Sequence, residues 1–155
     1  MAPSPEERLR ELGYELPAVP EPAASYVPAT RAGNLIFTAG QIPLEAGELH
    51  ITGKVGEEVS PEEAQEAARI CAFNALAAAA AEAGGLDNIG RVVKVTGFVA
   101  SARDFNGQPG VINGASDLLG EVFGDDGLHA RSAVGVAELP LGAPVEVEII
   151  VEMKG

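Results

Sequence analysis

The chain has 155 residues with a net charge of −13 at neutral pH, 46% apolar and 21% charged residues, and no tryptophan. These values exclude general disorder and describe one domain with an aliphatic core. The acidic excess disfavours a nucleic-acid partner, because such binding draws on phosphate neutralisation by Lys and Arg, and no basic stripe offsets it.

Six of the eleven prolines fall in the first 30 residues, marking residues 1–22 as an N-terminal arm ahead of a single domain over 23–155. Ser4, Pro5 and Glu7 read as a capped helix start, with the short helix running to about Leu12 and stopping at Gly13. The prolines from Leu16 to Pro28 favour extended chain lying across the domain surface. Leu35 to Thr38 is a compact apolar strand, and Leu49 to Thr52 is expected to pair with it as a hairpin. Gly40, just beyond the first of these, permits positive φ or close backbone approach.

Ser60, Pro61 and Glu63 repeat the helix-start pattern. Ile70, Phe73, Ala77 and Ala80 give the following helix its expected apolar face, and Gly84-Gly85 ends it. Val92 to Val99 reads as a strand. A second helix from about Pro109 to Phe123 presents Val111/Ile112, Ala115, Leu118/Leu119 and Val122, with Gly124 as its stop. Strands over Ala130 to Leu139 and Val145 to Met153 complete a ββαβαββ order. That order implies an α+β fold, with one mixed sheet carrying both helices on one face. The other face needs a cover, which homo-oligomerisation usually supplies.

Cys71, the only cysteine, sits among Ala and Ile and reads as a core residue. One Cys and two distant His residues give no convincing structural metal site. No apolar run approaches the ~20 residues of a membrane span, and the N-terminus lacks the order of a secretory signal, so a cytoplasmic protein without membrane attachment is expected.

In the strand opening at Ala130, alternation places Arg131 with Ala133 and Gly135 on one face and Ser132 with Val134 on the other. An arginine among small residues has room to offer its planar fork to a carboxylate. Pattern alone still favours a solvent-exposed arginine or an inter-subunit salt bridge. In the last strand Glu146, Glu148 and Glu152 read as the wetter face of an edge strand, and nothing in the spacing selects one as a general base or water-holding group. His129 precedes Arg131 by two residues, within reach of the same cleft, although a lone His there is usually a surface residue. No P-loop, nucleophile elbow or zincin motif occurs.

Three segments taken together carry more. Tyr26-Val27, then Ile36 to Pro43 (IFTAGQIP), and above all Ala130 to Pro140 (ARSAVGVAELP) with Val145 to Glu148 (VEVE) resemble the Rid/YjgF family of reactive intermediate deaminases, over roughly residues 22–153. The resemblance implies a chorismate-mutase-like fold and a homotrimer with sites in clefts between subunits. It implies hydrolysis of small 2-imino or 2-enamino acids to 2-oxo acids and ammonia, with no cofactor and no metal. Arg131 matches the family arginine that clamps the substrate carboxylate, and Glu146 the acidic residue that positions water. Tyr26, Gly40 and Asn113 match positions that shape the cleft, and the backbone at Ala133 would touch substrate. Two residues depart from the pattern: Ala133 stands where the family often has Cys, and Ala39 where it often has a hydroxyl residue. A non-catalytic binder of small carboxylates is the alternative of a different class. An endoribonuclease is a third, against which the net charge and the lack of a His pair argue.

Overall fold

The computed structural model describes residues 2–22 and 24–155. Met1 and Ala23, where the arm and the domain are each expected to begin, lie outside the described residues. Helix α1 (Pro5–Glu11) starts where Ser4 Oγ accepts the Glu7 amide. Strands β1 (Ala29–Ala32) and β2 (Leu35–Thr38) follow, then the two-residue strands β3 (Leu44–Glu45) and β4 (Glu48–Leu49). Next come α2 (Pro61–Ala83), β5 (Ile89–Ala100), α3 (Gln108–Phe123), β6 (Ala130–Val136) and β7 (Val145–Met153). The main sheet runs β1-β2-β7-β5-β6, with β5 and β6 parallel and every other pair antiparallel. Taken over this sheet, the order is the expected ββαβαββ, with α2 and α3 against it.

Both long helices begin and end on local signals. Ser60 accepts the Glu63 amide while the Glu63 carboxylate accepts the Ser60 amide, so each satisfies one of the helix's free N-terminal groups. In α3 the expected face is correct: Val111, Ile112, Ala115, Leu118, Leu119 and Val122 are all buried. Fully burying side chains the size of Leu118 and Leu119 is worth about 1.5–3 kcal/mol each.

The expected hairpin between Leu35–Thr38 and Leu49–Thr52 does not form. Strand β2 pairs instead with the preceding β1 through the Gly33-Asn34 turn, and Leu49 contributes only to the small β3–β4 ladder. The expected face of α2 holds at Ala77 and Ala80, both buried, but not at its larger residues. Its buried seam runs through Ala64, Ala68, Cys71, Ala75 and Ala79, whereas Ile70 and Phe73 lie at its margin. Small residues bring α2 close to the sheet, and the two larger ones meet the arm. There Tyr14 packs edge-on against Phe73 at 5.2 Å, with Arg69 stacked over Tyr14 at 4.9 Å. Leu9 of α1 is buried in the same core cluster.

Strand β7 is not an edge. It lies between β2 and β5, so Glu146, Glu148 and Glu152 are only partly exposed on a central strand. Their neighbours on the face away from the helices include Phe37, Phe98 and Val134, and Phe37 and Val134 are among the exposed large apolar residues.

Candidate active site: two half-sites on opposite faces of one sheet

Arg131 stands on the edge strand β6, on the face that carries α3. Its Nη1 donates to Asn113 Oδ1 at 2.8 Å and to Ser116 Oγ at 3.2 Å, and its Nη2 donates to the Pro109 carbonyl at 3.3 Å. Asn113 and Ser116 are one turn apart on α3 and so share a face. Arg131 takes part in none of the ion pairs among the described residues. Within the chain, its half-buried guanidinium is held by neutral acceptors. Its positive charge is left for an anion. Ala133 follows on the same face, partly buried against the core and opposite Gly97 of β5.

Glu146 leaves the sheet on the other face. It pairs with Phe98, while Arg131 pairs with Val95, and those β5 residues alternate in direction. The Glu146 carboxylate lies at a cavity of about 280 Å³ also lined by Tyr26, Gly40, Pro140 and Leu141. Burial pushes its pKa up from the ordinary carboxylate range, and the neighbouring Glu148 charge adds to the rise.

A register shift brings Gly40 to this carboxylate. Phe37 pairs with Ile150, but the next bridge on the same side joins Gln41 to Val147. Four residue steps on β2's side thus oppose three on β7, which is a bulge of one residue. Within it Thr38 Oγ1 accepts the Ile149 amide at 3.0 Å, taking the place of a ladder carbonyl. Gln41 and Val147 then resume the ladder through both of their backbone bonds, at 2.8 and 3.0 Å. The expectation of close backbone approach at Gly40 is met: an added β-carbon would stand 2.3 Å from Glu146 Oε2, and Gly40 is not among the positive-φ glycines.

Of the six residues singled out in the sequence, Tyr26, Gly40 and Glu146 meet in one cavity, and Arg131 and Asn113 meet on the opposite face, on the side of Ala133. The structure does not bring Arg131 and Glu146 together within one chain. Sequence reasoning missed Ser116, whose signal was its i+3 spacing from Asn113 on the helix that covers Arg131.

The family profile described as Endoribonuclease L-PSP matches residues 17–153. The chain belongs to the Rid/YjgF family. A relative in Trypanosoma cruzi named Protein TCP17 is 44% identical over 146 residues, covering 94% of this chain and 91% of its own. A Dermatophagoides farinae protein named 2-iminobutanoate/2-iminopropanoate deaminase is 35% identical over 137 residues, covering 87% and 91%. Among solved structures, the Agrobacterium tumefaciens protein Atu1372, described as of unknown function, is 49% identical with a TM-score of 0.89, over 97% of this chain and 94% of that one. The fold is thus the Rid-type fold. Among the described residues no helix is long and apolar enough to cross a membrane.

Proposed function

We propose that this Rid-family chain hydrolyses small 2-imino acids, the tautomers of 2-enamino acids, to 2-oxo acids and ammonia in clefts between copies of itself. The observation that carries this reading is the pairing of two complementary half-sites on opposite faces of one sheet. A fixed guanidinium lies on one face and a desolvated carboxylate beside a cavity on the other. The sheet separates them in one chain, so a second copy supplies the missing half. The exposed Phe37 and Val134 on the face opposite the helices give that second copy apolar surface to cover. The assembly expected is a homotrimer.

The chemistry needs little more than these groups. The substrate iminium carbon is already electrophilic, so orientation and a held water supply most of the catalysis. Arg131 receives the substrate carboxylate in a two-pronged hydrogen bond, with Asn113 and Pro109 fixing the plane of the fork. Glu146, as a carboxylate, accepts a proton from the water whose oxygen bonds to the iminium carbon. The resulting carbinolamine takes that proton on its nitrogen. Glu146, again a carboxylate, takes the hydroxyl proton as the carbon–nitrogen bond breaks, releasing ammonia and leaving the 2-oxo acid. A raised pKa makes Glu146 a better proton acceptor than an ordinary carboxylate. The net charge of −13 argues against the RNA-cleavage reading.

The test uses 2-aminoacrylate generated in place by a serine dehydratase, with pyruvate and ammonia release followed as the imine is consumed. Wild-type protein is expected to accelerate release, and Arg131→Ala to remove about 100-fold or more of that acceleration, the loss of a paired charged contact. Binding of a 2-oxo acid without acceleration of any imine would make the protein a carboxylate binder instead.

A further inference from the structure

Arg131 is held by a chain of hydrogen bonds that continues past α3. Ser116 Oγ, which accepts from Arg131 Nη1, lies 2.9 Å from His129 Nε2. The other ring nitrogen, Nδ1, lies 2.6 Å from the Gly127 carbonyl. A carbonyl can only accept, so Nδ1 carries the proton. The neutral ring then has a bare Nε2, the Ser116 hydroxyl donates to it, and the hydroxyl oxygen stays free to accept from Arg131. Each group has one role in the series Arg131 to Ser116 to His129 to the Gly127 carbonyl.

The far end of this series is firmly seated. A β-carbon on Gly127 would come within 2.5 Å of the Leu119 carbonyl oxygen, so the turn packs directly on α3. The near end lies in a shallow depression lined by Ser116, Asp117, His129 and Arg131. The charged groups that share this depression with the ring are Asp117 of α3 and Arg131.

We propose that Ser116 and His129 are positioning residues that hold the Arg131 guanidinium in its carboxylate-receiving orientation, His129 accepting from the Ser116 hydroxyl through Nε2 with its proton on Nδ1. The proposal rests on the reading of Arg131 as a carboxylate anchor. Without the ring nitrogen to take its proton, the Ser116 hydroxyl is no longer fixed with its oxygen toward Nη1. Affinity for a carboxylate then falls with no change in the charge of Arg131.

The experiment measures binding of 2-oxobutanoate by calorimetry at one mildly alkaline pH. Wild-type protein, His129→Gln, His129→Leu and Ser116→Ala are compared. His129→Gln, whose amide oxygen accepts from Ser116, should keep most of the wild-type affinity. His129→Leu and Ser116→Ala should bind about tenfold more weakly, near the value of one hydrogen bond to a charged group. Wild-type affinity retained in His129→Leu would overturn the proposal. So would ring-nitrogen NMR of the wild-type protein showing the proton on Nε2 at alkaline pH. Failure of the underlying reading looks different. The wild-type protein would then bind no 2-oxo acid, while the Nδ1–H signal and slow exchange of the Arg131 guanidinium protons in wild type, lost in Ser116→Ala, would still uphold the relay.

Discussion

Gly40 and Glu146 are so close that no side chain larger than hydrogen fits between them: a β-carbon at residue 40 would stand 2.3 Å from Oε2 and 2.8 Å from Cδ. The atoms it would meet are the far end of a flexible side chain, so the carboxylate moves and the fold does not. Gly40→Ala is therefore expected to lower imine-hydrolysis kcat about tenfold or more, since a displacement near 1 Å misplaces the held water. The melting temperature should change little. Full activity in Gly40→Ala would remove Glu146 from the reacting centre.

The pH dependence follows from the environment of Glu146. Burial first, then Glu148, raise its pKa, so it stays protonated to higher pH than an ordinary carboxylate. The water-holding form is the ionised one, so kcat/KM should rise with pH through that raised value. Glu148→Gln removes a charge that raises the pKa, and the acid limb should move to lower pH. The stability consequence has the opposite sense. A folded-state pKa above the unfolded one disfavours the ionised fold, so Glu146→Gln should be more stable than wild type at neutral pH. That difference should vanish below the unfolded carboxylate range. Denaturant titrations at neutral and acid pH check it.

Gly114 tests how α3 sets the Arg131 side. A β-carbon there would come within 2.0 Å of the Gln65 carbonyl oxygen, a backbone atom of α2 that cannot turn aside. Gly114→Ala should cost about 3 kcal/mol by urea denaturation, toward the upper end for overpacking. It should also weaken 2-oxo acid binding, because Asn113 and Ser116 move with the helix. An unchanged unfolding midpoint would show that α2 and α3 separate freely.

Some of this was legible in the sequence because the signals are local. The Ser60-Pro61-Glu63 cap and the apolar face of α3 depend on residues within one helix, and both appear as expected. Strand β1 was missed because it is a four-residue edge strand, mostly exposed, with no apolar alternation to mark it. The face of α2 was right at Ala77 and Ala80 but misplaced at Ile70 and Phe73, because its seam is alanine and Cys71 and a pattern search follows the larger side chains. The glutamates of β7 looked like an edge because alternation gives the direction of a side chain but not the strand's place in the sheet. For the same reason Arg131 and Glu146 could be matched to a family but not assigned to opposite faces. That separation appears only when β5 pairs with both strands.

The central claim, that Arg131 of one copy and Glu146 of another form each site, is tested most directly by mixing the two defects. Arg131→Ala and Glu146→Gln chains, each inactive alone, are co-expressed with different tags and the mixed assemblies are purified. In a mixed trimer of either composition about one site in three keeps both residues intact, so imine hydrolysis should return to about a third of the wild-type rate. If the site lay within one chain, every site would carry a defect, and verified mixed assemblies would remain at the background of the single variants.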